Sequence, residues 1–106
     1  MTNIAFTEKQ VEGEKERLRK KIFFALLIVD PETKENYKDV DVDATFDDLM
    51  DTIAGVNAVL GEPVEMVEVA AKLTMAQQEF HDPDFEYRRY RKFVLDAGNA
   101  VTKVGR

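Results

Sequence analysis

Eight consecutive apolar residues, from Ile22 to Val29, constrain the fold of this chain more than any other stretch. Charged residues make up 34% of the chain, yet no polar side chain interrupts this run, which we call the octad. An element that is apolar on every side cannot lie on a surface, so other segments must supply apolar faces to cover it. The octad therefore predicts a core built from several amphipathic elements.

Chain length and composition restrict the class of protein. The 106 residues are enough for one hydrophobic core, so we expect a single domain over residues 1–106. The chain has no cysteine and no serine, which excludes disulfides, zinc–thiolate sites and serine or cysteine nucleophiles. We therefore expect a protein that is not an enzyme, uses no cofactor and resides in the cytoplasm.

The basic residues before the octad suggest a secretory signal, but the details do not fit. Glu12, Glu14 and Glu16 lie among the basic residues, and the octad ends at Asp30-Pro31 rather than at small residues. Eight residues also fall far short of the roughly 20 that a membrane-spanning helix needs. The sequence predicts neither a signal peptide nor a membrane segment.

Apolar residues spaced three and four apart predict an all-α fold, an antiparallel arrangement of four helices. Thr7 and Thr45 each begin a capping-box pattern, and Pro63 and Pro83 suit the first position of a helix. A long acidic connection separates the first two helices. The predicted helices span about 8–29, 46–60, 63–81 and 83–103.

The octad also permits a different structure. A strand at 22–29 could turn through residues 30–33 into a second strand at 37–42, where valine and aspartate alternate. This hairpin would make the fold α+β. The helix is favoured because no glycine or proline separates the octad from the helical pattern before it.

The third predicted helix has an unusually wide apolar face. Its central stripe is widened by Val64, Val67 and Ala71, which predicts burial on two sides. Together with the octad, this face carries more apolar surface than a bundle of this length easily covers. We therefore expect a homo-oligomer.

Gly55 and Gly98 fall inside the second and fourth predicted helices. Glycine within a helix costs about 1 kcal/mol relative to alanine. Two interpretations are open: a close crossing of two helices offsets this cost, or the glycines are simply tolerated.

The segment from residue 30 to residue 51 is strongly acidic, with nine acidic side chains against only Lys34 and Lys38. One interpretation is a solvated loop followed by carboxylates in the first turn of a helix. The other is a surface that docks a basic partner. The candidate partner-binding residues are Asp39, Asp41, Asp43, Asp47, Asp48 and Asp51.

No metal site follows from the sequence. Asp39, Asp41 and Asp43 have the spacing of the first three ligands in an EF-hand loop. Ala44 and Met50 stand where that loop needs glycine and a bidentate glutamate. His81 is the only histidine, and near the end of a helix it is expected to interact with the negative end of the helix dipole.

The fourth predicted helix carries the best nucleic-acid candidate, in which Tyr87 and Tyr90 alternate with four basic residues, Arg88, Arg89, Arg91 and Lys92. Arginine binds phosphate and tyrosine stacks on bases. Both tyrosines, however, fit the predicted buried stripe, and the net charge of −6 opposes binding to a polyanion. Nucleic-acid binding is therefore not favoured.

These observations favour a small acidic helical interaction module that is not an enzyme. It would act as an adaptor, assembly accessory or small regulator, through helix faces or the acidic segment 30–51. The alternative is an acidic mimic of nucleic acid that inhibits a DNA- or RNA-binding protein. Both hypotheses require a protein partner.

Overall fold

The computed structural model describes residues 8–104, which form four α-helices and contain no strand. The all-α prediction is confirmed, and the alternative hairpin of 22–29 with 37–42 is wrong. The first helix already includes Glu8, the first described residue, while its predicted capping residue Thr7 lies outside the described residues. The helices are α1 (Glu8–Leu27), α2 (Val42–Leu60), α3 (Glu65–Phe80) and α4 (Tyr87–Lys103), and a 3₁₀ turn spans Lys34–Tyr37.

The four helices form a ring in which α1 packs on α2 and α4, and α3 packs on the same two helices. Contacts at both ends of α1 show that α4 runs antiparallel to it. At one end the buried Lys15 Nζ donates to the Val104 carbonyl (2.7 Å), and beyond the other end Tyr87 donates to Asp30. The chain is therefore an up-and-down bundle in which α1 and α3 stand diagonally opposite each other.

The core lies along the axis of the ring and receives side chains from all four helices. Its largest fully buried members include Tyr90, Phe46, Leu18, Leu49 and Leu73. The octad is covered as predicted, with one exception. Phe23, on the side of α1 next to α4, is 56% exposed.

The end of α1 shows how the fold satisfies backbone carbonyls that a helix leaves unpaired. The Val29 N–H bonds to Leu26 instead of Ala25, so the Ala25 carbonyl accepts a hydrogen bond from the buried Tyr90 hydroxyl (2.6 Å). The Leu27 carbonyl accepts from the Thr33 hydroxyl (2.7 Å). The polar turn after α1 and a buried side chain of α4 thus donate the hydrogen bonds that these carbonyls lack within the helix.

The predicted starts of α2 and α4 are wrong because Asp41 and Asp82 form hydrogen bonds other than those that the sequence patterns indicated. α2 begins four residues earlier than predicted, since the Asp41 carboxylate accepts from the Ala44 N–H (3.1 Å) and caps the helix there. α4 begins at Tyr87 instead of residue 83. The Asp82 carboxylate accepts from the Asp84 N–H (2.7 Å), which forms a turn in place of a cap.

The connection between α2 and α3 is tight. Gly61 and Glu62 both adopt positive φ angles, of 80° and 55°, and the Glu62 N–H bonds back to the Asn57 carbonyl. Pro63 and Val64 then form a turn, so α3 begins at Glu65 and not at residue 63 as predicted.

Neither Gly55 nor Gly98 marks a close crossing of two helices, so that interpretation is wrong. A Cβ atom built on Gly55 has no heavy atom within 4 Å. At Gly98 the nearest atom to such a Cβ is Ile22 Cγ2, at an ordinary contact distance of 4.0 Å.

Replacing Gly55 by alanine is expected to raise the free energy of unfolding by about 1 kcal/mol, since the new methyl group meets open space and alanine favours the helix. Urea denaturation followed by circular dichroism at 222 nm measures the change. The matched control Ala54→Gly, at the neighbouring exposed position of α2, should lower the stability by a similar amount. A destabilised Gly55→Ala variant would contradict the open environment of this residue.

Candidate interaction surfaces

Three of the six acidic residues predicted to bind a partner are engaged within the chain. Asp41 caps α2, and the Asp48 carboxylate accepts from Lys21 Nζ of α1 (2.9 Å). The Asp43 carboxylate accepts from the Gln77 amide (3.0 Å) and bonds to Nε2 of His81 (2.7 Å). Asp41 therefore serves its own helix, while Asp43 and Asp48 connect α2 to α3 and α1.

Asp43 connects the start of α2 to the end of α3. The hydrogen bond from Gln77, followed by that to His81, lowers the pKa of the Asp43 carboxyl below its usual value. His81 terminates α3, as the sequence indicated, but its side chain bonds across to α2. Local sequence patterns gave no signal for this pairing, because 38 residues separate the partners.

The other three predicted residues, Asp39, Asp47 and Asp51, are exposed and make no hydrogen bond or ion pair with the residues that the structure describes. Asp47 and Asp51 lie one turn apart on the outer face of α2, a helix without a basic residue. This part of the acidic segment is free to meet solvent or a partner.

The tyrosines of α4 are packed inside the chain. Tyr90 is fully buried, and burial raises the pKa of its hydroxyl. Tyr87 stacks on Tyr90 with 6.2 Å between ring centroids and donates to Asp30 (3.0 Å). Burial and this hydrogen bond raise the pKa of Tyr87 to about 12. Neither ring is free to stack on a nucleic-acid base.

One of the arginines beside these tyrosines forms hydrogen bonds within the chain. Arg89 binds the buried Glu79 through two N–H groups, each 2.9 Å from a carboxylate oxygen. The same carboxylate accepts from the Glu86 N–H (3.0 Å) at the start of α4, and the bonds from Arg89 lower the pKa of Glu79. Sequence reasoning missed this pair because it crosses the connection between two helices.

Phe23 is the most distinctive exposed residue of α1. It borders a groove of about 250 Å³ between α1 and α4, and Arg19 reaches across one end of this groove to the Thr102 hydroxyl (3.2 Å). Lys20 lies beside Phe23 on the other side and makes no ion pair with the described residues. We call the apolar part the Phe23 surface; the exposed Phe23 and the partly exposed Leu95 and Gly98 form its rim, and the buried Ile22, Leu26 and Val94 form its floor.

The outer face of α3 carries a second exposed apolar region. Val64 and Val67 are 77% and 70% exposed, Met75 is 39% exposed, and Ala71 is also exposed. Their spacing of three, four and four residues places them on one face, which we call the α3 stripe. The second apolar side that the sequence predicted for the third helix is therefore present, but no other helix that the structure describes covers it.

Charge is divided between two sides of the ring. The neighbours α1 and α4 carry eleven basic and five acidic side chains, a net charge of +6. The neighbours α2 and α3 carry one basic and seven acidic side chains, a net charge of −6. The Phe23 surface thus lies on a basic side and the α3 stripe on an acidic side.

Among residues 8–104, no group of three or more histidine or carboxylate side chains is arranged to hold a metal ion. Within the same part of the chain, no helix is long and apolar enough to cross a membrane. No family model, no curated protein and no solved structure matches the chain.

Proposed function

We propose that this chain is a non-enzymatic protein-interaction module, an adaptor, assembly accessory or small regulator, that binds its partner through the Phe23 surface. The observation that supports this most directly is the 56% exposure of Phe23 beside an apolar groove. Aromatic side chains set against such grooves commonly supply much of the binding energy of an interface. Covering Phe23 removes from water the largest exposed ring of the octad.

The surroundings of Phe23 indicate the chemistry of the partner. Arg19 and Lys20 flank the ring, although Arg19 also pairs with Glu16 on its own helix. A groove between two helices accepts a third helix through residues spaced three and four apart. The partner segment that fits is therefore an amphipathic helix with an apolar stripe and acidic residues beside it.

The acidic segment supports the alternative, mimicry of nucleic acid, less well. A mimic needs many free carboxylates to occupy a basic groove, and Asp41, Asp43 and Asp48 are engaged within the bundle. Five other carboxylates of this segment make no hydrogen bond or ion pair among the described residues, those of Glu32, Glu35, Asp39, Asp47 and Asp51. Five carboxylates are too few to replace the series of phosphates that polyanion-binding proteins contact.

Site-specific photo-crosslinking in the source cells tests the proposed function. A photoreactive amino acid at position 23 should crosslink to a protein partner, while the same group at the exposed position 54 of α2 should not. The purified partner should then bind the Ala54→Glu variant like the wild type and bind Phe23→Glu about tenfold or more weakly. Equal crosslinking at both positions, or equal binding of both variants, would contradict the proposal.

A further inference from the structure

The partner chemistry that suits the Phe23 surface is present in the chain itself. The α3 stripe is an exposed apolar row on a helix, and the exposed Glu68 lies beside it. We propose that the Phe23 surface binds the α3 stripe of a second copy, so that copies join head to tail. This inference rests on the proposed function and identifies the partner segment.

The two regions are both apolar, and the groove accommodates part of the length of the stripe. From Val64 to Met75 the stripe extends along about 16 Å of helix, given a rise of 1.5 Å per residue. The groove on the other side of the contact is lined by residues from about two turns each of α1 and α4, from Arg19 to Leu26 and from Val94 to Thr102. About two turns of the stripe can therefore lie along the groove.

Charge favours this contact over a contact between identical surfaces. The Phe23 surface belongs to the side with net charge +6, and the α3 stripe belongs to the side with net charge −6. Two Phe23 surfaces facing each other would bring Lys20 of one copy near the basic side of the other. Two α3 stripes would likewise bring Glu68 near a second acidic side, so like charges oppose both symmetric pairings.

The positions of the two surfaces determine the kind of assembly. The Phe23 surface is formed by residues of α1 and α4 and the α3 stripe by residues 64–75, so the two surfaces share no residue. A copy that uses its Phe23 surface keeps its α3 stripe free for another copy. Such a heterologous contact continues into a ring or an open row.

Light scattering and sedimentation with three matched variants test this inference. Wild-type protein should show a mass above the monomer value of 12.1 kDa that rises with concentration and falls with added salt. Phe23→Glu and Val67→Glu should each be monomeric, since each destroys one of the two surfaces. Ala54→Glu adds the same charge at another exposed site and should assemble like the wild type.

The decisive sample is an equal mixture of Phe23→Glu and Val67→Glu. One variant keeps an intact α3 stripe and the other keeps an intact Phe23 surface, so the mixture should give a dimer and nothing larger. All three substitutions fall at exposed positions, and circular dichroism should show the wild-type helix content in each.

Three results would overturn the head-to-tail contact. These are wild-type protein that stays monomeric at high micromolar concentration, a single variant that still dimerises, and a mixture that remains monomeric. The proposed function fails separately, when the photoreactive group at position 23 crosslinks to no protein. If that group crosslinks only to a different protein, the function stands and the self-assembly is refuted.

Discussion

Replacement of Phe46 by alanine is expected to lower the free energy of unfolding by about 3–5 kcal/mol. Phe46 is fully buried, and its ring packs edge-on against Tyr90 with 6.3 Å between centroids. Removing it leaves a cavity at the centre of the ring of helices, where four helices restrict collapse of the surroundings. Because a domain of this size is stable by only about 5–15 kcal/mol, the variant is expected to be near its unfolding threshold at 37 °C.

Chemical denaturation followed by circular dichroism at 222 nm measures this loss. Val59→Ala provides the control, because it also truncates an apolar side chain but at a position of α2 that is only partly buried and lies outside the core cluster. The control should change the stability by less than about 0.5 kcal/mol. If the two variants unfold at the same urea concentration, Phe46 does not occupy the core as described.

Replacement of Tyr90 by phenylalanine is expected to cost about 1–3 kcal/mol, although it removes a single oxygen atom. The Tyr90 hydroxyl is the donor to the Ala25 carbonyl, which the Val29 N–H leaves free by bonding to Leu26. Without the hydroxyl, a buried carbonyl keeps no partner among the described residues. The ring itself stays, so packing changes little.

Tyr37→Phe is the matched control for this prediction. Tyr37 is half-buried against Phe24, and its hydroxyl makes no hydrogen bond with the described residues. The control should unfold within about 0.5 kcal/mol of the wild type in the same urea titration. Equal stabilities of the two variants would show that the Tyr90 hydroxyl contributes nothing through Ala25.

The helices could be predicted from the sequence because their apolar spacing is a local pattern. The end of α2 at Gly61 also follows from a local rule for glycine, whereas α1 ends at Leu27, two residues before the end predicted from Asp30-Pro31. The starts of α2 and α4 could not be predicted in the same way. An aspartate can bond either to a turn or to a helix N-terminus, and the choices made by Asp41 and Asp82 depend on the packed chain.

The candidate surfaces were predictable only in part. The sequence shows more apolar surface than the bundle covers, but it does not show that Phe23 and Val67 are the residues left exposed. That selection depends on which helices become neighbours in the ring. The engagement of Asp43 and Asp48 depends on the same arrangement, since their partners lie on other helices.

The antiparallel order of the ring also determines the direction of the molecule's electric field. Each helix has a dipole along its axis, and every neighbour in this bundle points the opposite way, so the four axial dipoles largely cancel. The difference between the basic pair of helices and the acidic pair is not cancelled. The field therefore has a component across the bundle, and the connections 28–41 and 81–86, which lie at the same end and together carry eight acidic and two basic side chains, add a negative pole at that end.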